Sequence, residues 1–361
     1  MKKHLLCAGI CALSLIISAV SASACTLSYW APEKQHALTG RNMDWFSEMG
    51  TKLWIFPRGL ERNGQTAQNP MHWTSKYGSL SISIWDCLIT EGVNEKGLVA
   101  NNLYLPETSF EKRNSSQPGM GMSIWLQYYL DNFATVDEAV AATTGKDFQV
   151  QSSKLTLFGK TAAIPLHIAL TDAHGDCAII ELLDGKTIIH RETKQAALTN
   201  TVYATQKILA KQYQGLGGKH MLPGSSESED RYARTAFYLT KLPQNASSQH
   251  AVAGLMSVMR NAATPIGAND PKRPNIAMTL WSTVTDSTTQ TMYFSSSLSP
   301  NTLRIDLNAC TLDKGASILN LDPMHTADTL AGDVQNAFAP HKDIPFVQAG
   351  QQITWTAPKT K

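Results

Sequence analysis

Cys25 stands where the chain changes character. Met1–His4 carries Lys2 and Lys3, Leu5–Val20 is apolar, and Ser21-Ala22-Ser23-Ala24 follows. A charged start, an apolar middle and a small-residue end make a secretory signal peptide, here residues 1–24, with Ala22-x-Ala24 suited to cleavage before the cysteine. Cys25 then becomes residue one. An N-terminal cysteine carries a thiol of pKa about 8.5 and an α-amine of about 7.7–8.0, so the amine can take the thiol's proton near neutral pH. This nucleophile needs no histidine. A papain-type site would require a histidine and an orienting group, and the ten histidines form no such pattern.

Downstream runs Thr39-Gly40-Arg41-Asn42-Met43-Asp44-Trp45. A guanidinium at Arg41 near the sulfur favours the thiolate, and a carboxylate at Asp44 near the amine can orient it. The plainer alternative is a surface ion pair at a strand end. Cys25 has an alternative of its own, since a cysteine after a signal peptide can be lipidated and serve only as an envelope anchor. Lipidation usually wants Leu three positions earlier, where this chain has Ala22, and no flexible polar tether follows.

The elements that must hold these residues are mostly strands. Thr26–Trp30 and Ala37–Asn42 flank Pro32-Glu33-Lys34 as arms of a hairpin. Further strands are expected at Leu53–Phe56, Ser79–Ile89, Leu98–Leu105, Leu166–Thr171, Cys177–Leu183, Thr279–Asp286 and Gln290–Ser295. Helical periodicity marks Ser123–Asn132, Val136–Ala142 behind a Thr135 cap, Arg231–Leu239 and Ala251–Asn261. Strand-rich halves without βαβ alternation predict an α+β protein, antiparallel sheets covered by helices, in one domain over 25–337. Gly215–Glu229 and Ala263–Pro274 read as long loops, and Phe338–Lys361 as a polar, lightly attached tail.

Composition excludes several classes. Without the signal, 29 basic side chains face 29 acidic ones, so nothing points to nucleic acid. No second stretch of about 18 apolar residues could span a bilayer. Neither C-x-x-C nor H-E-x-x-H occurs, so no metal or other cofactor is expected. Cys25, Cys87, Cys177 and Cys310 remain, too few for a disulfide framework; one bridge among the last three stays open.

Cys25, Arg41-Asn42-Met43-Asp44, Gly92-Val93-Asn94-Glu95-Lys96-Gly97-Leu98, Leu198-Thr199-Asn200, and Leu222-Pro223-Gly224 followed by Asp230-Arg231-Tyr232 resemble, in order and spacing, the choloylglycine hydrolases. That family comprises penicillin V acylases and bile salt hydrolases. The resemblance implies an N-terminal nucleophile (Ntn) hydrolase, a four-layer αββα sandwich with two antiparallel sheets and the nucleophile at the start of an inner strand. It implies Cys25 as nucleophile and, through its amine, proton shuttle, with Arg41 and Asp44 tuning it. Asn200 would give its amide to the oxyanion, Arg231 would hold the charge network, and Tyr104 would supply the second, backbone N–H donor. The plain reading of Asn200 is a turn residue before Thr201.

Bile salt hydrolases place Asn where this chain has Tyr104, and penicillin V acylases resemble the chain there. Tyr104 and Trp45 would form aromatic walls of an acyl pocket, although Trp45 also reads as a core strand residue. The expected substrate is a small-molecule N-acyl amide, such as penicillin V or an N-acyl homoserine lactone, with conjugated bile salts the runner-up. The resemblance implies a homotetramer, and the signal predicts export across the inner membrane to the periplasm.

Overall fold

The computed structural model describes residues 24–32, 36–145, 147–157, 160–268, 277–324, 326 and 329–354. The signal-peptide reading of residues 1–23, Glu33-Lys34 in the hairpin turn, 269–274 of the second expected loop and 355–361 of the tail lie outside them.

Two sheets are stacked between two helical layers. The first runs Gln195–Leu198, β1 (Ala24–Trp30), β2 (Leu38–Asp44), Thr279–Asp286, Thr291–Ser296, Thr302–Asp306, Gly332–Asp333. The second runs Lys186–Thr193, Asp176–Leu183, Leu166–Thr171, Val99–Tyr104, Leu88–Asn94, Ser79–Ile84, β3 (Lys52–Phe56), Leu319–Leu321, Ala339–Pro340. Pairing is antiparallel in both sheets except at the short edge Thr302–Asp306 with Gly332–Asp333. Helices α1 (Met122–Asn132) and α2 (Val136–Thr144) cover the second sheet. Helices α4 (Ser228–Leu239) and α5 (Ser248–Ala262) cover the first, with α3 (Tyr203–Ala210) beside α4. This is the αββα sandwich.

Strand parity decides which side chains enter the space between the sheets. β1 and β2 pair with Cys25 opposite Met43 and Leu27 opposite Arg41, so these four share one face. That face meets the second sheet: Thr39 Oγ1 lies 2.6 Å from Thr171 Oγ1, and Thr283 Oγ1 donates to Glu91 Oε1 at 2.7 Å. The opposite face carries Thr26, Ser28, Asn42 and Asp44 toward the helices, where Asn42 Nδ2 donates to Met259 O at 2.8 Å.

The helices cover these faces by satisfying their polar groups as well as by apolar burial. Every residue of α1 is buried. Its Gln127 accepts from Ser81 Oγ at 2.8 Å and donates to Ser79 Oγ at 3.0 Å, because an unpaired buried amide would cost about 1–3 kcal/mol. Thr135 caps α2 as expected, accepting from Glu138 N–H at 3.2 Å.

Two expectations are corrected. Ser79–Ile89 is two strands, broken by a turn at Trp85–Cys87 in which Trp85 and Asp86 adopt φ of 54° and 53°. Part of the expected loose tail is built into the fold: Ala339–Pro340 pairs with Leu319–Leu321, Gln352–Ile353 pairs with Lys154–Leu157, and Ile344 and Ile353 are buried. Cys87, Cys177 and Cys310 are thiols, so the bridge left open among these three does not form. No helix among the described residues is long and apolar enough to cross a membrane, and the described residues hold no cluster arranged to bind a metal ion.

Candidate active site

Cys25 is 2% exposed and lies at the start of the first sheet's inner strand. Its backbone nitrogen, joined here to Ala24, donates to Asn200 Oδ1 at 2.7 Å. Asn200 follows the Gln195–Leu198 strand, which pairs with β1 on the side away from β2. Its Oδ1 also accepts from Arg231 Nη2 at 2.7 Å, while its Nδ2 donates to Tyr104 O at 2.8 Å. Both lone-pair positions of that oxygen are used. One N–H of Nδ2 remains for an incoming group.

Tyr104 ends the Val99–Tyr104 strand, and the next residue, Leu105, donates its N–H to Pro165 O at 3.0 Å. Along an antiparallel strand the N–H and C=O of one residue point to the same side, alternating residue by residue. The Tyr104 N–H therefore points with its carbonyl toward Asn200.

Arg231, one turn into α4, is 1% exposed. Its Nε donates to Ser226 O at 2.9 Å, and its Nη1 donates to Cys25 O and, at 2.6 Å, to Thr26 Oγ1. Nη1 also lies 3.9 Å from Asp44 Oδ2. Asp44 is fully buried and accepts from Thr279 Oγ1. Burial pushes its carboxyl up to about 7 against the opposing pull of Arg231 and the Thr279 hydrogen bond.

The spacing of three that suggested Arg41 and Asp44 as a pair places them on opposite faces of β2. Arg41 lies between the sheets with the thiol, and Asp44 lies on the helix side with Arg231. Arg41 donates to Thr90 O, to Thr90 Oγ1 at 3.0 Å and to Asn101 Oδ1 at 3.4 Å. Met43 Sδ stands between it and the nucleophile, 3.9 Å from Arg41 Nη2 and 3.8 Å from Cys25 Sγ.

The thiol faces a narrow apolar pocket whose walls include Trp45, Trp85, Tyr104, Leu88, Ile164 and Leu166. Trp45 stacks on Phe46 at 5.0 Å and meets Trp85 edge-on at 5.5 Å between ring centroids. A larger groove, lined by Trp125, Phe148 and Lys186 among others, contains neither cysteine nor histidine and none of the Cys25 cluster.

The seven residues singled out in the sequence thus converge: Cys25, Arg41, Trp45 and Tyr104 at the pocket, and Asp44, Asn200 and Arg231 behind the nucleophile. Sequence reasoning missed three neighbours. Trp85 was hidden inside one supposed strand. Glu91, with no exposed surface, faces Arg41 and is pushed up to about 7 by burial, with Arg41 opposing; the signal was a lone acid in the apolar run Leu88–Val93. Ser228 was assigned to a loop, although its spacing of three from Arg231 places both on one side of a helix.

The sandwich and the cysteine-centred pocket define the class: a four-layer αββα hydrolase. Residues 25–320 match the model of the linear amide C–N hydrolases, choloylglycine hydrolase family. The chain belongs to that family and is a linear amide C–N hydrolase.

The chain is 36% identical over 364 aligned positions to a penicillin V acylase of Pectobacterium atrosepticum, covering 93% of this chain and 96% of that one. The solved penicillin V acylase from Agrobacterium tumefaciens is also 36% identical, with a TM-score of 0.78 over 90% of this chain and 99% of that chain. A variant of the conjugated bile acid hydrolase from Clostridium perfringens shares the fold at 20% identity and a TM-score of 0.67, over 82% of this chain and 96% of its own.

Proposed function

We propose that this is an exported penicillin V acylase-like enzyme that removes an apolar acyl group from a small polar amine through a thioester on Cys25. The observation that carries the reading is the meeting at Cys25 of an apolar pocket on the thiol side and Asn200 with Arg231 on the backbone side. Cleavage after Ala24 turns the peptide nitrogen of Cys25 into a free amine. That amine takes the thiol proton, and the thiolate attacks the amide carbon. The oxyanion is held by Asn200 Nδ2 and the Tyr104 N–H. The tetrahedral adduct collapses by breaking the C–N bond, and the departing amine takes the proton held by the α-amine. Water, giving its proton to the same amine, hydrolyses the thioester and frees the acid.

Penicillin V and N-acyl homoserine lactones both join an apolar acyl group to a polar ring through a secondary amide, and the apolar lining of the pocket beside the thiol matches that acyl group in character. Its walls, Trp45, Trp85 and Tyr104, favour a flat ring or a flexible chain, which buries surface there at roughly 25 cal/mol per Å². A rigid steroid would have to displace them. The signal-like start supports export, with the periplasm as the proposed destination.

The test is kcat/KM for penicillin V, a long-chain N-acyl homoserine lactone and glycocholate on one preparation of exported protein, together with its intact mass. The expected mass is that of Cys25–Lys361, and the two N-acyl substrates are expected to lead. Glycocholate ahead by tenfold would overturn the specificity, and a diacylglyceryl adduct would overturn the free N-terminus. Tyr104→Asn should shift the ranking toward glycocholate.

A further inference from the structure

A side-chain amide serves as an oxyanion donor only if its backbone is fixed. Asn200 lies between the last strand residue, Leu198, and the first residue of α3, Tyr203, in a stretch with no ladder of its own. Its backbone N–H is taken by the hydroxyl of Ser228, at 2.9 Å. The same oxygen donates to Thr199 Oγ1 at 2.9 Å and lies 2.8 Å from Thr201 Oγ1, whose proton it shares with Glu229 Oε1 at 2.9 Å. A serine hydroxyl has one proton and two lone pairs; here the proton goes to residue 199 and a lone pair takes the N–H of residue 200. Ser228 opens α4 and Arg231 follows one turn later on the same side. One helix turn therefore grips Asn200 twice, its backbone through Ser228 and its side-chain oxygen through Arg231.

We infer that Ser228 is a positioning residue for the hydrolysis, fixing the Asn200 amide at the oxyanion site through the Asn200 backbone. The inference rests on the role proposed above for Asn200. Ser228 touches neither substrate nor thiol; it acts through residue 200. Without its hydroxyl, the Asn200 N–H loses its acceptor and Thr199 Oγ1 loses a donor, and the loop gains freedom where displacement of about 1 Å can cost about 10²-fold in rate.

The experiment compares kcat and KM of exported protein, with penicillin V as probe, for Ser228→Ala, Ser228→Thr, Asn200→Ala and the Ser228→Ala/Asn200→Ala pair, with thermal melts of each. Ser228→Ala is expected to lower kcat by about 10- to 100-fold with KM within about twofold. Ser228→Thr, which keeps the hydroxyl, should recover most of that loss. The double variant should match Asn200→Ala, because a mis-set amide cannot matter once the amide is gone. Unchanged kcat in Ser228→Ala beside a large loss in Asn200→Ala would overturn this inference alone. So would an equal loss from Ser228→Ala on both backgrounds, which would mark a general structural effect. Unchanged kcat in Asn200→Ala would overturn the role of Asn200, and the inference with it.

Discussion

Replacing Arg231 by Met keeps the length of an unbranched side chain but removes the charge that faces Asp44, and the loss should depend on pH. In the native protein, burial raises the Asp44 carboxyl from 3.8 to about 7, with Arg231 pulling the other way from 3.9 Å. A carboxyl whose folded pKa exceeds its unfolded one stabilises the fold most below the unfolded pKa, and that stability is lost as pH rises through the folded pKa. With a folded pKa of about 7, this group should cost the native protein about 1.4 kcal/mol between pH 6 and pH 8. Without Arg231 the folded pKa rises further, so the proton is retained throughout that window and the cost grows to about 2.7 kcal/mol. The gap between Arg231→Met and native protein should therefore widen by about 1.3 kcal/mol from pH 6 to pH 8. This comes on top of a pH-independent loss from leaving Cys25 O and Asn200 Oδ1 without the guanidinium donors, about 1–3 kcal/mol for a buried acceptor left unsatisfied. Urea unfolding at the two pH values reads it, with Asp44→Asn in both backgrounds as the control that flattens the difference. A gap of equal size at both pH values would refute the coupling of Asp44 to Arg231.

Asn200→Ala should lower kcat by about 10²- to 10³-fold with little change in KM, the signature of one lost oxyanion donor; a rise in KM alone would reduce Asn200 to substrate binding. Cys25→Ser should fold and be processed but lose nearly all turnover of penicillin V, since the terminal amine is a poor base for a hydroxyl. An extra Ala between Ala24 and Cys25 should be as damaging unless the chain trims it, which intact mass reports. Trp85 occupies a left-handed turn position at φ 54°, a strain of about 1–3 kcal/mol. Trp85→Gly should therefore cost about 2 kcal/mol in chemical denaturation, less than the usual 3–5 for a buried aromatic, while raising KM for apolar acyl substrates; a loss of 5 kcal/mol would argue against the strain.

The strands that carry the nucleophile were legible because Thr26–Trp30 and Ala37–Asn42 combine β-formers with a turn signal between them, and pairing followed from that. The relation of Arg41 to Asp44 was legible as a pair but not as geometry. A separation of three is near-neighbour spacing on a helix but opposite faces on a strand, and the two residues serve different sides of the cysteine. The Trp85 turn escaped because left-handed two-residue turns announce themselves with Asn-Gly or Asp-Gly, and Trp-Asp gives no such signal. Helix α3 was missed because Tyr203–Ala210 is only eight residues long and leaves Ile208 and Leu209 exposed, so its apolar stripe is not clean. The tail's anchoring was invisible for a different reason: Arg62 reaches Asp343 and Ser123 reaches Val347 across more than two hundred residues, and local pattern carries no such information.

Arg231 also decides which way the Asn200 amide faces. A guanidinium only donates, so its Nη2 at 2.7 Å requires oxygen, not nitrogen, at that end of Asn200. The backbone nitrogen of Cys25 makes the same demand on the same oxygen. With the oxygen fixed by two donors, the NH₂ end has to point toward Tyr104, the side on which an oxyanion would form. Lysine at 231 could donate to Asn200 but, lacking the planar fork, could not also hold Ser226 O and Cys25 O in their present directions. The charge that stabilises Asp44 and the donor that orients Asn200 belong to one side chain, so stability and turnover at this site cannot be tuned independently by changes at residue 231.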